Sequence, residues 1–229
     1  MDRLQLPPLF DGRPASDPYR EARRRAATGA DAGLLLHDGG DAARAALVLI
    51  PEVPLAEAAA MLPAGQLGLH DALGAVGPPE LPLHLEWEGH LRVNGARCGH
   101  VSLAADTEEP GAVPNWLVLA IDVPFRWAET DPGTRPDTTV LHEEGCGDLS
   151  PAMLTEAWAR HVLHWINRWE EDGAAPLHAE WERLSHEKGR TLTLRGRTGT
   201  FLGIDERMGA LIRGSDTALI PLTELVEAS

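Results

Sequence analysis

Apolar and polar positions in the first third of the chain predict an early helix, two strands and two further helices. Ser16-Asp17-Pro18 is typical of a helix start with proline at the first position. The arginine-rich amphipathic run that follows ends near Gly29. The next predicted elements are strands over 33–37 and 45–50 and helices over 55–62 and 66–76.

The middle of the chain predicts a series of strands. Short runs in which apolar and polar residues alternate are separated by turn residues, as in an antiparallel sheet. These predicted strands cover 81–87, 90–93, 97–105 and 116–123. The segment 124–136, rich in Pro, Asp and Thr, predicts an exposed loop. The order of elements indicates an α+β fold in which helices cover a mixed or antiparallel sheet.

The second half of the chain predicts two more helices and then a small β domain. A long helix starts at Ser150-Pro151 and ends at Gly173, and a second starts at Pro176. Apolar residues recur at helical spacing in the long helix, which indicates packing against the sheet rather than a tryptophan cage for a ligand. From 190 onward, short strands alternate with turns, which predicts a small antiparallel barrel. The predicted domains are therefore 1–189 and 190–229.

The segment 84–100, HLEWEGHLRVNGARCGH, predicts a β-hairpin with a charged face. Asn94-Gly95 between two extended runs favours a two-residue type I′ turn. That turn predicts the cross-strand pairs Val93/Ala96, Arg92/Arg97, Leu91/Cys98 and His90/Gly99. His90, Arg92 and Arg97 are then expected on one face of the hairpin. Positive charge gathered on an otherwise acidic chain is suited to binding a carboxylate or a phosphate.

Composition limits the classes of function. The chain has 229 residues, of which 43% are hydrophobic, enough for one large domain and one small one. Its formal net charge of -15 argues against sequence-independent binding to nucleic acid. We predict no membrane association, since neither a signal peptide nor an apolar run of about 18 residues is evident. With only two cysteines, a reduced cytoplasmic setting is expected.

The cationic groups are almost all arginines, because Lys188 is the only lysine. A mechanism that needs a neutralisable amine in the core is therefore excluded, whereas binding of an anion by a permanently charged guanidinium is not. A metal site built from His90, Cys98 and His100 is not favoured, since the predicted register puts His90 and His100 on opposite faces. We therefore predict no metal.

The hairpin segment resembles biotin–protein ligases, which are related to lipoate ligases, in the motif K-W-P-N-D-(I/L)-x-V-N-G-x-K-x-x-G. Six residues match the Trp, the turn, the active-site lysine position and the following glycine of that motif: Trp87, Val93, Asn94, Gly95, Arg97 and Gly99. Four residues depart from it: Glu86, Glu88, Gly89 and His90. The region 16–37 is similar to the family's start, where a serine before the first helix contacts the ligand. The C-terminal region resembles the family's SH3-like barrel.

The resemblance implies chemistry that uses ATP and a carboxylate similar to biotin, lipoate or octanoate. Such ligases form an acyl-adenylate and transfer the acyl group to a lysine of a carrier domain. The family closes a loop rich in Gly and Arg over the adenylate. The corresponding connection here, 37–44, keeps two glycines and one arginine but adds Asp38 and Asp41. Because these carboxylates would repel a phosphate, we expect a plain tight turn and do not favour conventional ATP-dependent ligation.

These observations define a candidate site and three hypotheses. Arg97 is expected to bind a carboxylate or phosphate as the catalytic or anchoring residue. The other candidate ligand-binding residues are Ser16, His37, Trp87, Arg92, Asn94, Gly95 and Gly99. The protein is either a divergent ligase or acyltransferase, a catalytically degenerate binding module for an acyl group, an adenylate or a carrier domain, or an interaction scaffold. Filling of the old pocket by Trp87 or Trp116 would favour the scaffold.

Overall fold

The structure, a computed structural model, describes residues 4–127 and 137–228. The predicted loop over 124–136 therefore lies mostly outside the described residues. The helices are α1 (Pro18–Ala26), α2 (Leu55–Ala58), α3 (Met61–Val76), α4 (Pro151–Asp172) and α5 (Ala175–Leu184). The strands are β1 (Asp11–Pro14), β2 (Leu34–His37), β3 (Ala42–Leu49), β4 (Leu83–Leu85), β5 (His90–Val93), β6 (Ala96–Ala105), β7 (Leu117–Pro124), β8 (Thr191–Leu194), β9 (Arg197–Ile204), β10 (Ala210–Arg213), β11 (Thr217–Ile220) and β12 (Val226–Ala228).

The main sheet has eight strands and is mixed, which confirms the predicted fold class. Its order is β1-β2-β3-β7-β6-β5-β4, and β12 pairs with β6 beside the end of β5. The pairs β1/β2 and β12/β6 are parallel, and the other neighbours are antiparallel. A second, four-stranded antiparallel sheet follows in the order β11-β10-β9-β8. The last strand then returns to the main sheet.

Helices α3, α4 and α5 pack on one face of the main sheet, and α1 packs on part of the other. Leucine, valine and tryptophan from α3, α4 and α5 form one core with the sheet. The helix α1 forms a smaller core on the opposite face, where Ala22 and Ala26 pack against Leu36, Ala46 and Val118. This short helix leaves the part of that face nearer to β4 and β5 uncovered by its core.

The tryptophans of α4 and α5 pack in the core, as their helical spacing predicts. Trp158, Trp165 and Trp181 are buried. Each indole N–H donates to a nearby acceptor: Trp158 to the Gly65 carbonyl (3.2 Å), Trp165 to Asp71 (2.8 Å) and Trp181 to Gln66 (3.0 Å). Burial of these rings with their N–H groups bonded supports a structural role for the aromatic stripe.

One helix boundary differs from the prediction. The sequence predicts helices over 55–62 and 66–76, whereas α2 ends at Ala58 and α3 already begins at Met61. Pro63 lies in the first turn of α3, where backbone N–H groups make no hydrogen bond within the helix. A proline, which lacks this N–H, therefore does not interrupt the helix. Within the described residues, no helix is both long and apolar enough to cross a membrane.

Candidate functional site

The half of the sheet that the core of α1 does not reach carries charged and polar side chains. Arg44, Asp122, His100 and His90 occupy adjacent positions on β3, β7, β6 and β5, because each is the cross-strand partner of the next. Alternation along each strand directs the intervening apolar residues to the opposite, helix-covered face. The sheet thus presents a row of ionisable groups on the face that α1 only partly covers.

The hairpin β5–β6 has the predicted turn but not the whole predicted register. Asn94 and Gly95 have positive φ values of 50° and 88°, which fits the type I′ turn. The pairs Val93/Ala96 and Arg92/Arg97 are confirmed. Beyond them a β-bulge shifts the register, so the predicted pairs Leu91/Cys98 and His90/Gly99 are wrong.

The bulge has a clear physical consequence for the site. Leu91 pairs with Gly99, and His90 pairs with His100. Cys98 is the additional residue and is buried at 1% exposure. Without the bulge, simple alternation would direct His100 into the core. With it, both histidines lie on the polar face, and their ring centroids are 4.6 Å apart. The prediction that they lie on opposite faces is therefore wrong.

Glu86 joins the two arginines of the hairpin. Its Oε1 accepts from Arg92 Nε, and its Oε2 accepts from Arg97 Nε and Nη2, both at 2.6 Å. The Glu86 side chain is 3% exposed, while that of Arg97 is 40% exposed. Burial raises the pKa of Glu86, but the bonds from Arg97 and Arg92 outweigh it and hold the pKa below its usual value. One carboxylate between two guanidinium groups leaves this cluster with one net positive charge.

The paired histidines lie between that cluster and the rest of the row. Burial, with smaller contributions from His100 and Arg97, lowers the pKa of His90 to about 4. His90 is therefore neutral near pH 7. His100 Nε2 donates to the Glu88 carbonyl at 3.1 Å, and its Nδ1 lies 3.0 Å from the Ser102 hydroxyl. Among the residues that the structure describes, no group of three His, Cys, Asp or Glu side chains could hold a metal ion.

A cavity of about 480 Å³ lies next to His100, at the N-terminus of α1. The residues with polar side chains in its lining are Ser16, Asp17, Tyr19, Arg44, His100, Ser102 and Asp122. Arg44 contacts Asp122 at 3.3 Å and Asp38 at 2.8 Å. Asp38 belongs to the connection between β2 and β3, where it also accepts from the backbone N–H of Gly40. Asp17 caps α1 by accepting from the N–H of Arg20 at 3.1 Å.

The sequence-predicted residues fall into two groups. Arg92 and Arg97 meet at Glu86, and Ser16 lines the cavity. The other predicted residues pack in the core or contact neighbouring segments of the chain. Trp87 is 2% exposed, with its indole N–H donating to the Met208 carbonyl at 2.8 Å. Trp87 therefore fills the core beneath the hairpin, as Trp116 does beneath α1.

Asn94, Gly99 and His37 also have identifiable neighbours. Asn94 donates from Nδ2 to Glu144 at 2.5 Å, which ties the turn to the segment before α4. A Cβ at Gly99 would lie 3.2 Å from Val123, so this position is closely packed. His37 ends β2, and its carbonyl accepts from the N–H of Ala15 at 2.9 Å.

Sequence reasoning missed Asp122 and Glu187, and gave Arg44 no place in the site. Single charged residues inside the apolar runs AARAALVL and LVLAIDVP were the available signal for Arg44 and Asp122. Glu187 is 6% exposed and accepts from the N–H of Trp87 at 2.7 Å. Burial raises the pKa of Glu187 to about 7, with the N–H bond from Trp87 acting in the opposite direction.

A larger cavity of about 880 Å³ lies away from this face. Its lining is mainly apolar and includes Phe10, Ile50, Met61, Trp169 and Met208. Of the predicted site residues, Ser16 lines the smaller cavity, five lie in the hairpin, and His37 and Trp87 lie in neither; the five are Arg92, Asn94, Gly95, Arg97 and Gly99. The candidate site is therefore the polar face, where charge, a cavity and most of the predicted residues coincide.

Comparisons with known proteins show which family this chain resembles in sequence and in fold. The model of the biotin/lipoate A/B protein ligase family matches residues 6–183, and a domain of unknown function (DUF4444) matches 189–228. A comparison with curated proteins finds no match. The structure of a biotin protein ligase-like protein of unknown function from Silicibacter sp. TM1040 is 50% identical, with a TM-score of 0.93, and covers 98% of this chain and 100% of that chain.

More distant structures share the fold. Biotin protein ligase from Aquifex aeolicus is 17% identical, with a TM-score of 0.74, over 93% of this chain and 96% of that chain. Biotin protein ligase from Leishmania major, in complex with biotinyl-5-AMP, is 12% identical, with a TM-score of 0.59, over 93% of this chain and 98% of that chain. At these identities the likeness concerns the fold alone.

Proposed function

The chain belongs to the biotin/lipoate A/B protein ligase family, and from this premise we propose that it binds a small acyl carboxylate at Arg97 and Arg92 without activating it with ATP. The carboxylate is of the biotin, lipoate or octanoate class. The protein is thus a ligase-like binding module in which the carboxylate-binding half of the site operates and the nucleotide half does not.

The observation that carries this proposal is the charge of the hairpin cluster. Glu86 neutralises one of two guanidinium groups, and one positive charge remains on a chain whose formal net charge is -15. Arg97 is the more exposed of the two arginines, with 40% of its side chain accessible against 14% for Arg92. A guanidinium can bind a carboxylate through two parallel hydrogen bonds. Arg97 therefore offers a ligand carboxylate the most accessible cation of the cluster.

The surroundings of the cavity argue against a bound nucleotide. Phosphates bind where backbone N–H groups, a helix N-terminus or arginines are available to them. At this cavity the N-terminus of α1 is capped by Asp17, and Arg44 contacts both Asp38 and Asp122. An adenylate would have to displace these carboxylates or lie beside them. Without activation, transfer of the acyl group to a carrier lysine has no driving force at this site.

A thermal-shift panel tests the proposal. The panel contains biotin, lipoate, octanoate, ATP and stable analogues of the acyl-adenylates, each measured with the wild type, Arg97→Ala and Arg213→Ala. Arg213 is an exposed arginine on β10 and serves as the matched control. A ligand at about 100 times its Kd stabilises the folded state by roughly 2.7 kcal/mol. For a chain of this size the expected rise in melting temperature is about 5–10 °C.

The outcomes separate the alternatives. We expect a carboxylate to raise the melting temperature of the wild type and Arg213→Ala but not of Arg97→Ala, and ATP to raise none of them. Equal shifts in Arg97→Ala would refute the proposed anion site. A shift with ATP, or a larger shift with an acyl-adenylate analogue than with its carboxylate, would replace this proposal with a working ligase and justify assays of carrier acylation.

A further inference from the structure

We propose that the larger cavity, of about 880 Å³, is a second binding site and that its ligand is an amphiphilic cation. The apolar body of the ligand would lie in the cavity, and its ammonium or guanidinium group would lie at the mouth. The inference does not depend on the proposed function, because the two cavities share no lining residue and the hairpin arginines line neither. A volume of this size is usual for a small-molecule site.

The inner wall of the larger cavity is suited to an apolar group. Met61 at the start of α3, Ile166 on α4 and Met208 in the turn between β9 and β10 line it and are buried. Phe10 and Trp169 line it as well and are half-buried. Apolar surface that a ligand covers contributes to binding in proportion to the area removed from water. The two methionines can also adjust to the shape of a ligand.

The mouth of this cavity leaves further apolar surface in contact with solvent. Leu9 is 69% exposed and Ile50 is 50% exposed, and both line the cavity. They are two of the five large hydrophobic side chains that are exposed in the part of the chain that the structure describes. Exposed apolar surface that continues into a cavity is typical of a ligand-binding groove, whereas isolated exposed residues need no explanation.

Trp169 differs from the other tryptophans of α4 and α5 in its hydrogen bonding. The indoles that donate to protein acceptors are those of Trp158, Trp165 and Trp181. The N–H of Trp169 has no acceptor among the described residues. An aromatic ring can also attract a cation to its face. Trp169 therefore offers a ligand an apolar ring, a site for a cation and an unused donor.

The charges at the mouth favour a cation over an anion. Exposed carboxylates reach the mouth from four segments that are separate along the chain: Glu52, Glu57, Glu170 and Glu206. None of them forms an ion pair within the described ranges, whereas the aspartates of the smaller cavity contact Arg20 or Arg44. The cationic group among the described lining residues is Arg207, so four negative charges face one positive charge. An anionic amphiphile would be repelled here, and a cationic one would be attracted.

Isothermal titration with three probes tests the inference: 6-phenylhexylammonium, 6-phenylhexanol and 6-phenylhexanoate. The probes share a phenyl ring and a chain, and differ in whether the polar end is cationic, neutral or anionic. Each is titrated into the wild type and into Arg97→Ala, which lacks the proposed carboxylate site. We expect the cation to bind both proteins equally, about two- to fivefold more tightly than the alcohol, the range for a partly exposed ion pair. In Arg97→Ala the carboxylate should bind more weakly than the alcohol.

Two sets of variants locate the site. Glu57→Gln combined with Glu170→Gln should remove most of the cation's advantage over the alcohol. Glu108→Gln combined with Glu171→Gln also removes two exposed negative charges, but from outside the lining, and should keep that advantage. Trp169→Ala removes part of the wall and should weaken the cation and the alcohol alike, by about tenfold.

The results that would overturn the inference are distinct from those that concern Arg97. Equal affinities for the cation and the alcohol, or unchanged binding in Trp169→Ala, would refute this site and leave the proposed function untouched. Failure of the three probes to bind Arg97→Ala would also refute it. If sedimentation then shows a dimer that Trp169→Ala dissociates, the cavity belongs to a second copy of the chain. Circular dichroism of each variant verifies that the fold is intact.

Discussion

Replacement of Glu86 by glutamine should lower the stability of the protein and strengthen its binding of carboxylates. The Glu86 side chain is 3% exposed and bonded to both Arg92 and Arg97. Removing one partner of a buried ion pair costs about 3–5 kcal/mol. Because the Arg97 side chain is 40% exposed and can turn towards solvent, screening by water reduces the contribution of the Glu86–Arg97 pair to this cost. We therefore expect Glu86→Gln to lower the free energy of unfolding by roughly 2–3 kcal/mol.

Urea denaturation at pH 7 measures this loss, with Glu88→Gln as the control. Glu88 lies two residues away and also carries one negative charge, but it is less buried than Glu86. The control should change the free energy of unfolding by less than about 0.5 kcal/mol. Equal losses in the two variants would refute the role assigned to the Glu86 cluster, since removal of charge alone would then account for the effect.

The pH dependence and the affinity provide two independent readouts. The pKa of Glu86 lies below its ordinary value of 4.5, so its stabilising contribution is complete above that value and is lost as the pH falls through the lower, folded-state pKa. The stability difference between wild type and Glu86→Gln should therefore shrink below pH 4.5. The variant also leaves two positive charges in the cluster in place of one, so octanoate should bind it more tightly. Weaker binding would contradict this assignment of charge.

Two further predictions concern the framework. Gly68→Ala should destabilise the protein by about 1–3 kcal/mol, because the new Cβ would lie 2.9 Å from the backbone of Val162. Gly74→Ala, on the same helix, meets nothing within 4 Å and should stabilise the protein by about 0.5–1 kcal/mol. A similar change in the two variants, measured by urea denaturation, would contradict the close packing of α3 on α4. Glu187 holds its proton more tightly in the folded protein, where its pKa is about 7 against an ordinary value of 4.5. The free energy of unfolding of the wild type should therefore fall by roughly 3 kcal/mol as the pH rises from 4.5 through 7. Glu187→Gln, which can still accept from the Trp87 N–H, should remove that fall, and parallel pH profiles for the two proteins would disprove this prediction.

The sequence predicts most of the architecture because local patterns specify most of its elements. Alternating residues predict β4 to β7, and Asn94-Gly95 predicts the turn. The missed strands are β1 and β12, the short segments DGRP and VEA. Both are paired in parallel with distant parts of the chain. A short segment without alternation becomes a strand only through such a partner, which periodicity along the sequence cannot reveal.

The candidate site is less predictable because its parts come from separate strands. Arg92 and Arg97 lie on one hairpin, so the turn signal alone predicts that they share a face, but their contacts with Glu86 were not predicted. The contact of Arg44 with Asp122 requires β3 to lie beside β7, 78 residues along the chain. The single-residue bulge at Cys98 is a further limit, since it reverses the direction of His100 without a turn signal in the sequence. Pairing between strands, rather than residue type, determines this part of the site.

The charges around the cavity explain how one fold can hold a different ligand. A carboxylate of the chain is held near its cation by the backbone, so it binds there without the loss of translational freedom that a free anion incurs. Asp17, Asp38 and Asp122 therefore compete effectively with any dissolved phosphate for the N-terminus of α1 and for Arg44. The fold positions these groups, but their charges select the ligand. The three aspartates thus support the proposal that the cavity takes no nucleotide, while Arg97 in the hairpin remains accessible to a carboxylate.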